Sequence, residues 1–333
     1  MKIGIVGQET SGKTTIFKLL TSQINMPPSA KPLIWTMDIK DSRLDFLASV
    51  FKPKKLTYVK LELNDIPGFS KSGLALLQTM DALIYVIPFW GSFNNPLKHL
   101  SDLQSELILR DIEMCENAIK KADSPQTSEL LKKCKASLDE SIPLSKITLT
   151  EEEEKSLRGF GFLSQKPSIV ILNTDNQEKD NKELLAFQEK NILPLLIINA
   201  SIELEILELD SDDRVTYCKE FGIEKPIIDR FSETAYTPFK LAVFFTVGED
   251  EVRGWQITAG AKASVAAGKV HSDIERGFIK ADIIGFEDFK KVLATVSSPA
   301  IALKTAKGNG LLQVVDKDYI VKDGDIIEFK FNV

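Results

Sequence analysis

Gly7-Gln8-Glu9-Thr10-Ser11-Gly12-Lys13-Thr14 is the stretch that decides the fold. It matches G-x-x-x-x-G-K-[ST] in full. The run Lys2–Val6 before it reads as a strand. Thr14–Thr21 after it carries Ile16, Phe17, Leu19 and Leu20 at helical spacing. A strand, this loop and a helix in that order form a phosphate cradle. Gly7 and Gly12 permit backbone conformations that a Cβ disfavours, so successive N–H groups can turn toward phosphate oxygens. The start of the helix adds its positive end. In this chemistry Lys13 reaches the β- and γ-phosphates, the Thr14 hydroxyl ligates Mg²⁺, and Thr15 stands at the α-phosphate.

Such a loop needs a second part on another strand. Leu61–Asn64 leads into Asp65-Ile66-Pro67-Gly68, a D-x-x-G match. Asp65 is the expected partner of Mg²⁺, and the Gly68 N–H the expected sensor of the γ-phosphate. Lys13 and Gly68 are thus the candidate catalytic residues. Phe69 follows, where many GTPases carry a Gln that orients water. A phenyl ring cannot do that, so hydrolysis is expected to be slow or to use another group. The base is expected at Asn173-Thr174-Asp175-Asn176, at the end of the strand Ser168–Asn173. Asn199-Ala200-Ser201 is expected to close over it. An Asn at position 176 both donates and accepts, so it does not demand guanine.

The chain has 333 residues, 43% of them hydrophobic and 27% charged, which excludes a disordered polymer. No apolar run is long enough to span a membrane. The net charge of −6 argues against a globally basic nucleic-acid binder, though not against a local RNA-facing surface. Three cysteines, Cys115, Cys134 and Cys218, are too few and too scattered for a disulfide framework, which points to a reducing, cytoplasmic setting. Only His99 and His271 are present, so a His-rich metal site is excluded. His271 reads as a structural or surface residue.

Strand and helix patterns alternate through residue 96, as in βαβ units. They include one strand over Leu56–Leu63 and another over Ala82–Pro88. Residues 97–160 read as helices, including a long one over Leu97–Ala122, and suggest an antiparallel arm inserted between two strands. The α/β pattern resumes over 161–240. From 241 to 333 the texture becomes short strands and turns, among them Tyr319–Val321, as in a small α+β domain. The expected fold is therefore α/β: a P-loop NTPase with a mostly parallel sheet, an inserted coiled-coil-like arm and a C-terminal α+β domain.

With these parts in order, the sequence resembles the YchF / Obg-like ATPase family. The resemblance rests above all on Glu251-Val252-Arg253-Gly254-Trp255, on Ala267-Gly268-Lys269-Val270-His271-Ser272-Asp273, on Gly277-Phe278-Ile279-Lys280-Ala281, and on Asp318 through Asp325. These runs are similar to the family's TGS-type β-grasp domain. Ser105-Glu106-Leu107-Ile108-Leu109-Arg110-Asp111 resembles the start of its helical arm. The resemblance implies a cytoplasmic ATPase with some GTP capacity, and a ribosome, RNA or protein partner met through the arm and the TGS-like domain. It also implies Ser29 as a switch hydroxyl for Mg²⁺. The family's hydrophobic residue after D-x-x-G matches Phe69. Thr10 stands where the family usually has Asn, and Asn176 where Glu is common. Two functions stay open: a weak Mg²⁺-dependent hydrolase of ATP and GTP, and a nucleotide-sensing adaptor with little or no hydrolysis.

Overall fold

The first strand is buried at every position after Lys2, as expected for a strand covered on both faces. A computed structural model describes residues 1–25, 32–122, 124–175 and 182–332. Its strands are β1 (Lys2–Gly7), β2 (Leu33–Ile39), β3 (Lys55–Thr57), β4 (Val59–Asp65), β5 (Ala82–Phe89), β6 (Ser168–Thr174), β7 (Leu195–Ile198), β8 (Leu241–Thr246), β9 (Glu251–Thr258), β10 (Phe278–Gly285), β11 (Gln313–Val315) and β12 (Asp325–Phe331). They form two six-stranded sheets, β2-β4-β1-β5-β6-β7 and β11-β10-β12-β8-β9-β3. The chain divides into two compact units, 1–37 with 61–234, and 38–60 with 235–333. Residues 38–60 fall inside the range 1–96 expected for the first part of the nucleotide-binding domain, yet they group with the C-terminal residues.

In the first unit, β1 pairs in parallel with β4 and β5, β5 with β6, and β6 with β7. β5 is buried along its whole length. Val6, Leu83, Tyr85, Ile87, Val170 and Leu172 build the core on the face where Leu100, Leu103 and Leu107 pack. These leucines belong to the helix Pro96–Ile119, which is capped by Asn95 and opened by Pro96. Its later turns join the helices Pro125–Asp139 and Glu151–Leu157 in a separate cluster around Cys115, Leu131, Cys134 and Leu157. Burial pushes the Cys115 thiol up to about 12 and that of Cys134 to about 11, so both are inert apolar fillers. Asp111 is fully buried and accepts the N–H groups of Leu163 and Ser164, both at 2.7 Å, which anchors the long helix to the approach of β6.

The expected single strand Leu56–Leu63 is two strands. β3 pairs in parallel with β9, while the Leu61–Asp65 part of β4 belongs to the first unit. The second unit carries a mixed sheet around Phe244, Ile257, Ala266, Ile283 and Ile327. Arg43 on the helix Ser42–Phe51 binds Asp41 at 2.8 Å and Asp323 at 2.6 Å, and Asp41 also accepts the Tyr236 hydroxyl at 2.9 Å. This network fastens 38–60 to its unit. Tyr319–Val321, expected as a strand, makes one isolated bridge, Ile320 to Lys262. His271 is a surface cap, with Nδ1 accepting the Asp273 N–H at 3.2 Å.

Candidate nucleotide-binding site

Four parallel strands of the first unit end side by side. The register sets Gly7 beside Val86 and Phe89 beside Thr174. In open parallel sheets the carboxyl ends of the strands are where ligands sit. Gly7 has no room for a side chain, because a Cβ there would lie 2.5 Å from the Val86 carbonyl oxygen. Gly12 caps the helix Lys13–Thr21 with φ of 91°, a left-handed conformation that glycine adopts without strain. Thr10 is also left-handed, at φ 61°, and its hydroxyl donates to the Glu9 carbonyl at 2.6 Å.

Lys13 folds back over this loop and donates to the carbonyls of Gly7 at 2.9 Å and Gln8 at 2.7 Å. Burial lowers its pKa, and the charges of Asp65 and Glu9 oppose that shift. Thr14 donates its hydroxyl to Asp65 Oδ2 at 2.6 Å. Burial raises the Asp65 pKa, while the Thr14 hydrogen bond and the Lys13 charge hold it down. A hydroxyl and a carboxylate thus meet where the two motifs were expected to join, and the Lys13 charge acts on the carboxylate. Mg²⁺ bound with a nucleotide needs one or two protein oxygens, phosphate oxygens and water. Thr14 and Asp65 fit that requirement, and a cation there would relieve the cost of burying the Asp65 charge.

Gly68 has φ of 105° and open space where a Cβ would stand. Its N–H donates to the Ile66 carbonyl at 2.8 Å. Phe69 packs against the apolar core. That partly buried contact accounts for an apolar residue here, and the ring offers no group to orient water.

Asn173 and Asn199 lie on the opposite side of the loop. The Asn173 amide donates to the Ser11 carbonyl at 3.2 Å, and its oxygen accepts the Ala200 N–H at 3.0 Å. Asn199 caps the helix Ala200–Glu208 through the Ile202 N–H at 3.1 Å. Asn173 therefore fastens two loops together, and Asn199 fixes the start of its own helix. A cleft of about 310 Å³ is lined by Thr10, Gly12, Thr15, Trp90, Asn173, Thr174, Asp175, Asn199, Ala200 and Ser201. Asp175 lies within the segment expected at the base, whereas Trp90 was not anticipated as a wall residue. Trp90 immediately follows β5, the strand between the phosphate loop and the base segment, and that position was the available signal. Thr174, the second residue of the base segment, is 1% exposed. Ser29 and Asn176 lie outside the described residues.

A parallel sheet whose first strand enters a Gly–Lys–Thr loop, with a carboxylate from the neighbouring strand on the threonine, defines a P-loop nucleoside triphosphatase fold. Comparison with known proteins narrows the class. Residues 241–332 match the family model YchF-GTPase_C, described as a protein of unknown function (DUF933). A protein of Escherichia coli O157:H7 named Ribosome-binding ATPase YchF is 33% identical, over 100% of this chain and 99% of its own length. The protein of that name from Bacillus subtilis (strain 168) is 30% identical over 99% of both chains. The solved structure of the Schizosaccharomyces pombe YchF GTPase superposes with a TM-score of 0.83 at 23% identity, covering 99% of this chain and 97% of that one. The chain belongs to the YchF family.

Proposed function

We propose that this protein binds ATP and GTP with Mg²⁺, hydrolyses them slowly, and couples its nucleotide state to a ribosome, RNA or protein partner. The Thr14–Asp65 hydrogen bond, with the Lys13 charge acting on it from the loop, carries the reading, because these three side chains have the charge and donor types that a bound triphosphate requires. Lys13 exchanges its two loop carbonyls for phosphate oxygens. Thr14 and Asp65, with Ser29, are the proposed protein ligands of Mg²⁺, which when bound neutralises phosphate charge. Gly7, Gly12 and Thr15 cradle the phosphates. Asn173, Asn176, Asn199, Ala200 and Ser201 border the base.

Gly68 supplies the proposed nucleotide sensor. For its N–H to reach a γ-phosphate, the bond to Ile66 must open. A glycine with free space beside it can make that turn at little cost. Loss of the γ-phosphate would return it to Ile66, a two-state element of the kind that nucleotide switches use. Phe69, partly buried against the core, favours slow turnover and also supports the second reading, an adaptor that binds nucleotide with little hydrolysis.

The relatives' name, Ribosome-binding ATPase, supports the ribosome as partner and hence a cytoplasmic location. The proposed contact elements are the helical segment 97–160 and the TGS-like domain, 241–333. Among the described residues no helix is long and apolar enough to cross a membrane. Equilibrium titration with ATP, GTP and their diphosphates, with and without Mg²⁺, tests the assignment, and phosphate release with and without ribosomes separates hydrolase from adaptor. Absence of binding to all four nucleotides would refute it. ATP and GTP are expected to bind within about tenfold of each other, since a missing charge-assisted bond to guanine forfeits about 1.5–3 kcal/mol.

A further inference from the structure

The second residue of the phosphate loop is held from outside the loop. The Gln8 side-chain amide lies 3.1 Å from Nδ1 of His99, ninety-one residues away in sequence. With the amide donating, Nδ1 is the acceptor and the imidazole proton sits on Nε2. His99 is itself fixed, because it lies in the first turn of the helix Pro96–Ile119. There Asn95 accepts the Lys98 N–H in its side chain at 3.0 Å and the His99 N–H in its carbonyl at 3.2 Å. The ring is also wedged. Phe93 packs edge-on against His99 with centroids 5.4 Å apart, and Trp90 packs edge-on against Phe93 at 5.7 Å. Trp90 is in turn a wall of the cleft that Thr10, Gly12 and Thr15 also line. The connection after β5 therefore lines the cleft at Trp90, and the first turn of the long helix touches the phosphate loop at Gln8.

Gln8 matters because it lies in the loop whose N–H groups must face phosphate, and because its carbonyl, which accepts from Lys13 Nζ at 2.7 Å, is one that Lys13 leaves when phosphate arrives. Fixing the Gln8 side chain holds this stretch of the loop backbone in place, so that it need not be ordered when Lys13 leaves. We propose that His99 is a positioning residue of the phosphate loop: by accepting from Gln8 it pre-sets the loop for phosphate, and the Trp90–Phe93–His99 stack ties that setting to the cleft wall. The inference rests on the nucleotide-binding reading above. Pre-organisation of this kind acts on affinity, since a loosened loop must be ordered again when the ligand binds. It acts on ATP and ADP alike, because both place phosphates in the loop, and it leaves the chemical step alone.

The test uses the full chain and measures ATP and ADP affinity by titration calorimetry, kcat and KM by phosphate release, and the thermal midpoint. Loss of one neutral hydrogen bond corresponds to roughly three- to tenfold in affinity. His99→Ala is expected to weaken both nucleotides by about that factor and to change kcat by less than about twofold. His99→Asn, whose side-chain oxygen can take the place of Nδ1, is expected to restore most of the affinity. Gln8→Ala is expected to match His99→Ala, and the double variant to be no weaker than either single one, because both changes break the same bond. Should His99→Ala fail to fold, Gln8→Ala and His99→Asn still decide the matter. Additive losses in the double variant, no rescue by Asn at an unchanged thermal midpoint, or unchanged affinity in Gln8→Ala would each overturn the proposal. A wild-type protein that binds neither nucleotide would overturn both this and the reading beneath it.

Discussion

Thr14 and Asp65 share a hydrogen bond of 2.6 Å, which ties the first turn of the helix after the phosphate loop to the end of β4. The bond joins two local motifs fifty-one residues apart. It also leaves a carboxylate buried, with one cation, Lys13, acting on it. Burying that charge costs stability in the unliganded protein.

That arrangement gives a prediction with a definite sign. The folded pKa of Asp65 is raised above its ordinary value, chiefly by burial. A raised carboxyl pKa contributes stability that is fully present below the unfolded value and lost as pH rises through the folded value. Asp65→Asn keeps an acceptor for Thr14 but carries no charge. Without nucleotide, the variant should therefore melt at a higher temperature than wild type at pH 7, and the gap should close as the pH is lowered. It should also lose Mg²⁺-dependent triphosphate binding. Thermal melts across pH 4–8, with and without Mg·ATP, check both halves. A variant that is less stable at pH 7 would contradict the stated cause.

Lys13→Ala should abolish measurable triphosphate binding and leave the fold intact. The ammonium is half-buried and costs free energy to desolvate, and its hydrogen bonds run to two carbonyls of a loop open to water. Loss of the side chain should move stability by less than about 1 kcal/mol, as is usual away from a packed core. A normal circular dichroism melt together with a flat ATP titration is the expected result.

Gly12→Ala should be costly for two separate reasons. The φ of 91° strains any side chain, and a Cβ would come within 2.3 Å of Asn173 Nδ2. Strain of this kind costs about 1–3 kcal/mol. Displacing Asn173 would also break its ties to Ser11 and Ala200. The variant is expected to be destabilised by about that amount in urea and to bind nucleotide at least tenfold more weakly. Adding Asn173→Ala should relieve the clash and not the φ strain, so the double variant should remain weaker than wild type.

The parts of the site that sequence made legible are those with local grammar. Gly7 through Thr14 sits between a strand and a helix, and Asp65 ends a strand, so type and order sufficed. What escaped depends on neighbours remote in sequence. Trp90 is a wall residue because β5 lies between β1 and β6, and no pattern around Trp90 states that order. The Gln8–His99 bond spans ninety-one residues for the same reason. Asn173 was expected at the base, and its amide is engaged by Ser11 and Ala200, a role that only the packed loops define. Alternation through Leu56–Leu63 looked continuous, although the chain passes from one sheet to the other at Tyr58. The helix Pro299–Gly308 escaped because its buried residues are two alanines, too small to mark an apolar face.

Trp90 provides a prediction that separates affinity from base choice. Its ring stands in the cleft wall, in the same cleft as Asn173 and Ser201. An aromatic face stacks on any base, and such stacking is worth about 1–3 kcal/mol by alanine substitution. It discriminates little, because adenine and guanine both present a flat π-surface. Trp90→Ala should therefore weaken ATP and GTP together, by roughly five- to a hundredfold, and leave their ratio within about threefold of wild type. Trp90→Phe should recover most of the loss. Base choice must then reside in hydrogen-bonding groups, of which Asp175 is the acidic one on the described wall. Asp175→Asn should shift the ATP-to-GTP ratio while total affinity stays within a few-fold. Paired titrations of both nucleotides against the three variants provide the check. If Trp90→Ala changes the ratio as strongly as the affinity, the ring does more than stack, and Trp90 and Asp175 do not divide affinity and base choice between them.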